Sequence, residues 1–214
     1  MNPLGRCGLL CTIVCVAVVL IQGSVQSQGQ NQSPLLRLEV QSGSKAEYRV
    51  REQLARLNFP NDAVGTSESI TGALVMRPDG SFTPDSRLTV DLRTLKTDEP
   101  KRDGYVRANT LQTDQYPRAE FLARRQTGLP RPLPTSGGAN FQLTGDMTLH
   151  GVTAEQTWDV AATFAGDVLN AKATTRFNFA KYKITVPSIF GLISVEDDIR
   201  LELNVRMRRT ATPS

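Results

Sequence analysis

Histidine and cysteine are nearly missing from this chain of 214 residues, which has one histidine and three cysteines, Cys7, Cys11 and Cys15, all close to its start. Nucleophilic and metal chemistry therefore has little to stand on. There is no H-E-x-x-H, C-x-x-C, G-x-S-x-G or phosphate-cradling glycine loop. His150 stands alone at a strand end before Gly151 and reads as structural. Glu196, Asp197 and Asp198 could in principle hold a cation, but an acidic cluster at a strand start reads first as a solvent-facing one. The chain is read as a non-enzyme with no cofactor and no metal. Disulfides cannot hold a fold whose cysteines all precede it, so the core must be apolar, which this length allows. Charge of one sign is lacking too. Lys and Arg number 25 against 21 Asp and Glu, interspersed, for a formal net charge of +4, which argues against a nucleic-acid partner.

Long apolar runs are lacking beyond the first residues. Arg6 precedes a run from Gly8 to Ile21 that is short for a membrane span and reads as a signal peptide. Val25-Gln26-Ser27 offers small residues for cleavage after Ser27, leaving a cysteine-free mature chain from Gln28; the alternative is an uncleaved anchor. Leu10 and Val14 precede Cys11 and Cys15, where a lipid-modified cysteine would need a small residue, so lipid anchoring is rejected. The expected location is periplasmic or extracellular. Residues 28–34 belong to a Gln/Ser/Gly-rich stretch expected to be a disordered linker, and the domain is expected over 35–210.

What is present is alternation with period two. Phe141, Leu143, Met147 and Leu149 alternate with Gln142, Thr144, Asp146 and Thr148; after His150-Gly151, Trp158, Val160, Ala162 and Phe164 alternate with Thr157, Asp159, Ala161 and Thr163. A helix would spread these apolar groups all round, whereas two antiparallel strands gather them on one face. The same period recurs in Leu36–Val40 and Lys45–Leu54, in Ser69–Arg77 with Ile70, Gly72, Leu74 and Met76 on one face, and in Arg87–Leu95 with Leu88, Val90 and Leu92 inward. It returns in Ala119–Arg125 around Phe121, in Val168–Phe179 with a small inward face of Leu169, Ala171, Ala173 and Thr175, and in Ile199–Arg208. Asn58–Asp62 carries turn chemistry, and Lys181–Ile193 reads as irregular. Asp98 as cap and Pro100 in the first turn predict a short helix over Lys101–Asn109. About eight strands joined by short turns, with no βαβ rhythm, make an all-β fold that closes as a barrel or a sandwich.

Several segments share one further feature, their order. S-x-L-T-V-D-L-R-T-L-K-T-D from Ser86, K-R-D-G-Y-V at Lys101–Val106, Tyr116-Pro117-Arg118-Ala119-Glu120-Phe121 and L-T-G-D-M-T-L-H-G-V-T at Leu143–Thr153 follow in a spacing that resembles the YceI-like family. The resemblance runs from about Ala46 to Arg208. It implies an extended antiparallel eight-stranded lipocalin-like barrel, with the short helix between strands 3 and 4, whose interior holds a polyisoprenoid or other long-chain lipid. Arg176–Tyr182 departs from the family's Arg-x-Asp-Phe-Gly type stretch, so the shape of that end does not follow from the resemblance. Arg102 and Asp103 match the family motif and are read as fastening the helix over the barrel, with head-group contact as the second reading.

An eight-stranded barrel is at the size where side chains either just fill it or leave room for one small ligand. Gly72, Ala162, Ala171 and Ala173 favour room. The expected lining of a lipid cavity is Leu74, Leu92, Phe121, Phe141, Leu143, Trp158, Val160, Phe164, Ala171, Ala173, Leu201 and Leu203. The function expected is exported lipid binding for transport or storage, with an apolar lipid as partner. The competing reading is a ligand-free envelope stress or interaction protein. Arg206, Arg208 and Arg209 read first as a solvated strand face and second as transient contact with a membrane surface. Ligand identity and oligomeric state stay open.

Overall fold

The computed structural model describes residues 35–55, 59–187 and 192–212; the expected leader and linker, Asn58 and Gly191 lie outside them. Alternation becomes ten antiparallel strands: β1 (Leu35–Val40), β2 (Lys45–Leu54), β3 (Asn61–Ser67), β4 (Ile70–Met76), β5 (Arg87–Asp91), β6 (Arg118–Thr127), β7 (Ser136–Leu149), β8 (Val152–Ala165), β9 (Val168–Phe177) and β10 (Leu192–Thr212). The order β1-β4-β5-β6-β7-β8-β9-β10 closes on itself through β10 and β1. β2 continues β1 along the same edge of β10, and β3 continues β4. Ten strands therefore make eight staves of one closed barrel.

The break between β1 and β2 is a bulge. Val40 pairs with Met207 and Lys45 with Asn204, so Gln41–Ser44 carries two more residues than β10 does opposite it. Ser44 seals the gap, its Oγ donating to Gln41 O at 2.8 Å and accepting from Arg206 N at 3.0 Å. At the β7–β8 hairpin the register Leu149↔Val152 leaves His150 and Gly151 as a two-residue turn with φ of 51° and 73°, the twist such hairpins favour. β8 and β9 bury every second residue, Trp158 to Phe164 and Leu169 to Phe177, as the alternation predicts.

Between β5 and β6 the chain leaves the wall as α1 (Pro100–Tyr105) and a π turn (Val106–Thr110). This helix lies between the third and fourth staves, where it is expected, and Pro100 opens it. Its N-cap is Glu99 rather than Asp98, with the Glu99 carboxylate accepting from Lys101 N at 3.2 Å; Asp98 pairs with Arg102 instead.

Other expectations are corrected. Asn61 and Asp62, read as the end of a turn over Asn58–Asp62, instead open β3 (Asn61–Ser67), because pairing with β2 from Ala46↔Ser67 to Glu52↔Asn61 overrides its poor strand propensity. Leu92 is buried but begins a 3-10 turn, so that strand ends at Asp91. Gly72 gives no inward space: its φ is 116°, and a Cβ there would meet Arg87 O at 2.1 Å. Ala73 and Val75, on the opposite parity, are buried as well, and the segment before β5 folds back onto Val75. Ser86 Oγ accepts from Val75 N at 2.9 Å and donates to Val75 O at 2.8 Å. The strand expected to reach Phe179 ends at Phe177, and Phe179–Tyr182, which runs into the start of the expected irregular stretch, forms a 3-10 turn that buries Tyr182 completely. The last strand runs to Thr212, four residues past the expected Arg208 and two past the expected end of the domain.

Candidate functional site

The staves that carry α1 at their ends enclose an apolar chamber of about 180 Å³. Its wall comes from small and branched residues on the inward parity: Ala46 and Val50 of β2, Ala63 of β3, Val90 of β5, Ala119 of β6 and Leu201 of β10. Its roof is Tyr105 and Val106 with Thr110 and Leu111 on one side, and Phe179, Ile184 and Pro187 on the other. The polar groups at its rim are few and placed. Glu52 continues the inward parity of β2, and Arg102 of α1 reaches down to it at 2.8 Å, both largely buried. Burial works against the Arg102 charge, but Glu52 and Asp98 outweigh it and hold its pKa above the ordinary value. Asp103 accepts from the Thr97 backbone N–H and hydroxyl, both at 2.7 Å. The helix is thus fastened by both residues of the Arg102-Asp103 pair.

Tyr48 lies flat over Gly65, its cross-strand partner, where any Cβ would strike the ring at 2.1 Å. Burial pushes its phenol up to about 12. Its hydroxyl and that of Thr110, both lining the chamber, are buried without a hydrogen-bond partner.

A second void of about 50 Å³ lies deeper. Leu129 and Leu133, from the loop between β6 and β7, close it from below. Leu88, Phe121, Trp158 and Leu203 line both spaces and so form the layer between them. The rings of Phe121 and Trp158 meet edge to face, with centroids 6.1 Å apart.

The twelve expected lining residues divide across this layer. Leu92, Phe121, Trp158, Leu201 and Leu203 touch the larger chamber; Leu74, Phe141, Leu143, Val160, Phe164, Ala171 and Ala173 touch the smaller void. Ala171 and Ala173 do face inward, but onto the small void of the lower half rather than onto the larger chamber. Among the lining residues that sequence reasoning missed are Ala46, Tyr48, Val50, Glu52, Ala63, Val90 and Ala119, with Leu88 of the layer. The signal for four of them was available: Ala46, Tyr48, Val50 and Glu52 share one parity, and an acidic residue on an apolar parity marks a buried partner.

The remaining candidates are engaged in structure. The Glu196–Asp198 cluster sits on a bulge of β10, where Val195 pairs with Glu52 and Ile199 with Val50. Glu196 faces Arg51 at 3.6 Å, Asp197 accepts from Phe179 N at 2.7 Å, and Asp198 bonds Arg176 at 3.0 Å and Arg200 at 3.2 Å. No group of three metal-ligating side chains occurs among the described residues. His150 Nδ1 lies 3.3 Å from Tyr182 O, and its ring meets Tyr116 edge-on at 4.8 Å.

A family model described as the YceI-like domain matches residues 40–207. A UPF0312 protein of Pseudomonas putida strain W619 is 32% identical over 126 residues, which are 51% of this chain and 61% of that protein. A UPF0312 protein of strain GB-1 is 31% identical over the same shares, so the chain spans less than two thirds of these relatives. Among solved structures, a polyisoprenoid binding domain from Saccharophagus degradans implicated in plant cell wall breakdown superposes with a TM-score of 0.61 at 11% identity, covering 82% of this chain and 98% of that one. BcnA of Burkholderia cenocepacia gives 0.59 at 15% identity, covering 78% and 98%. Likeness at such identities concerns the barrel alone, but the matched family segment reaches from the end of β1 to β10, and the chain belongs to the YceI-like family.

Proposed function

We propose that this protein binds an isoprenoid or similar apolar ligand in the chamber beneath α1, as an exported carrier or store. The carrying observation is an apolar space of about 180 Å³, slightly larger than the roughly 150 Å³ cavities that admit benzene. Support also comes from the binding named for the Saccharophagus degradans domain. Binding rather than catalysis fits a chamber whose described lining is almost wholly apolar. Two isoprene units would bury about ten carbons, a gross gain of about 8 kcal/mol at roughly 0.8 kcal/mol per CH₂. Association costs about 4 kcal/mol or more, so the tail alone gives about millimolar affinity. Hydrogen bonds from Tyr48 and Thr110 to a ligand oxygen would add about 1 kcal/mol each. Export rests on the leader expected at 1–27 from the sequence. Loading from a membrane surface is favoured by Phe59 and Val186, which are 79% and 44% exposed in the segments flanking the α1 end.

Solvent extraction of the purified protein followed by mass spectrometry tests this reading. An apolar lipid is expected in the parent and lost in Ala119→Phe, which fills the chamber while the melting temperature is kept. Extracts free of lipid, together with no uptake of added isoprenoid alcohol, would overturn it and favour the ligand-free envelope protein. Intact mass of the protein from its native host checks the leader, with a start at Gln28 expected.

A further inference from the structure

The layer between the two spaces has a composition that matters for what can enter. Phe121 and Trp158 are 5% and 3% exposed, and their rings pack edge to face across the interior. Trp158 Nε1 is buried with no hydrogen-bond partner, so packing alone sets the indole's position. Leu88 and Leu203 complete the layer from β5 and β10. Above it lies space for a few carbons. Below it the interior is filled except for about 50 Å³, and the loop carrying Leu129 and Leu133 closes that end.

Resting on the binding reading above, we propose that Leu88, Phe121, Trp158 and Leu203 form a floor that sets the length of apolar chain the barrel accepts, at about two isoprene units. A longer ligand must leave its remaining units at the mouth. The specificity of this chain is then for a short isoprenoid, or for the terminal units of a long one, and not for a tail threaded through the whole barrel.

Trp158 is the one tryptophan of the chain and sits in the floor itself, so its fluorescence reports what reaches that layer. The experiment titrates the full chain with geraniol, farnesol and geranylgeraniol, of two, three and four isoprene units, and follows Trp158 emission. The parent should bind all three with affinities within about threefold of one another, because units beyond the second gain no burial. Leu203→Ala opens the floor and keeps the reporter; it should bind geranylgeraniol at least about tenfold more tightly than the parent does. Phe121→Leu, a milder change, should move the same way if Leu203→Ala does not fold. Val205→Leu, below the floor, should leave all three parent affinities unchanged. A parent affinity that climbs tenfold from geraniol to geranylgeraniol, or falls when Val205 is enlarged, overturns the floor and leaves the carrier reading standing. Binding of none of the three by a folded parent overturns both.

Discussion

Above and below the Phe121–Trp158 layer the same alternation builds two different interiors. Above it, Ala46, Ala63, Ala119, Val50 and Val90 face one another across a gap. Below it, Phe82, Phe141, Phe164, Met76 and Met207 meet around Ala171 and Ala173 and leave little room. Period two decides which side chains point inward; side-chain size across the barrel, and what closes each end, decide whether they touch.

The largest expected effect is at the layer where the halves join. Trp158→Ala should destabilise by about 3–5 kcal/mol, read as the shift in a chemical denaturation midpoint, since the indole is 3% exposed and packs edge to face on Phe121. Next comes the same kind of insertion on either side of the floor. Ala173→Trp overfills the lower half and should cost about 1–3 kcal/mol, whereas Ala119→Phe should change the melting temperature little. Equal losses from both would erase the distinction between the halves.

Smaller again is Asp103→Ala, which removes two bonds from Thr97 to a partly exposed carboxylate and should cost about 1 kcal/mol. Its melting shift should be at least as clear as its loss of ligand; lost ligand with unchanged melting would move Asp103 from roof fastening to ligand contact. The smallest effect concerns the outer wall. Lys45 beside Glu47, Lys172 beside Glu202 and Arg176 beside Asp198 hold these three carboxyls below their usual values. As the folded pKa values are depressed, the unfolded chain takes up protons first on acidification. The stability they confer is therefore complete above about pH 5 and lost as pH falls below about 4. The basic partners reach solvent in all three pairs, so the contribution of each should be small, and high salt should flatten the acid limb of a denaturation midpoint plotted against pH.

Strand identity was legible wherever apolar and polar residues alternate over several positions, as in β8 and β9. It failed at Asn61–Ser67, where β3 exists through its partner and not through its own composition. The lining was legible by parity but not by depth. Ala173 and Ala119 look alike in sequence; only the residues opposite them, brought together by closure, separate a filled layer from an open one. Tyr182 was missed because a single 3-10 turn has no repeat to read, although it buries the ring completely. Glu52 was the most informative residue passed over, since its partner Arg102 lies fifty positions away, on the helix that roofs the chamber.

The seam between β1 and β10 joins Leu35–Val40 to Met207–Thr212, the two ends of the described domain. A wall with such a seam cannot be completed in the order in which the chain is made. Until β10 arrives, β9, β2 and β1 each keep an unpaired edge, the kind of surface that recruits other chains. β10 is 21 residues long and covers all three at once. Pairings this distant in sequence are slow to form, so the period of risk is long and ends in one step. The last strand of the described barrel to be synthesised is therefore the one on which solubility and an enclosed interior both wait.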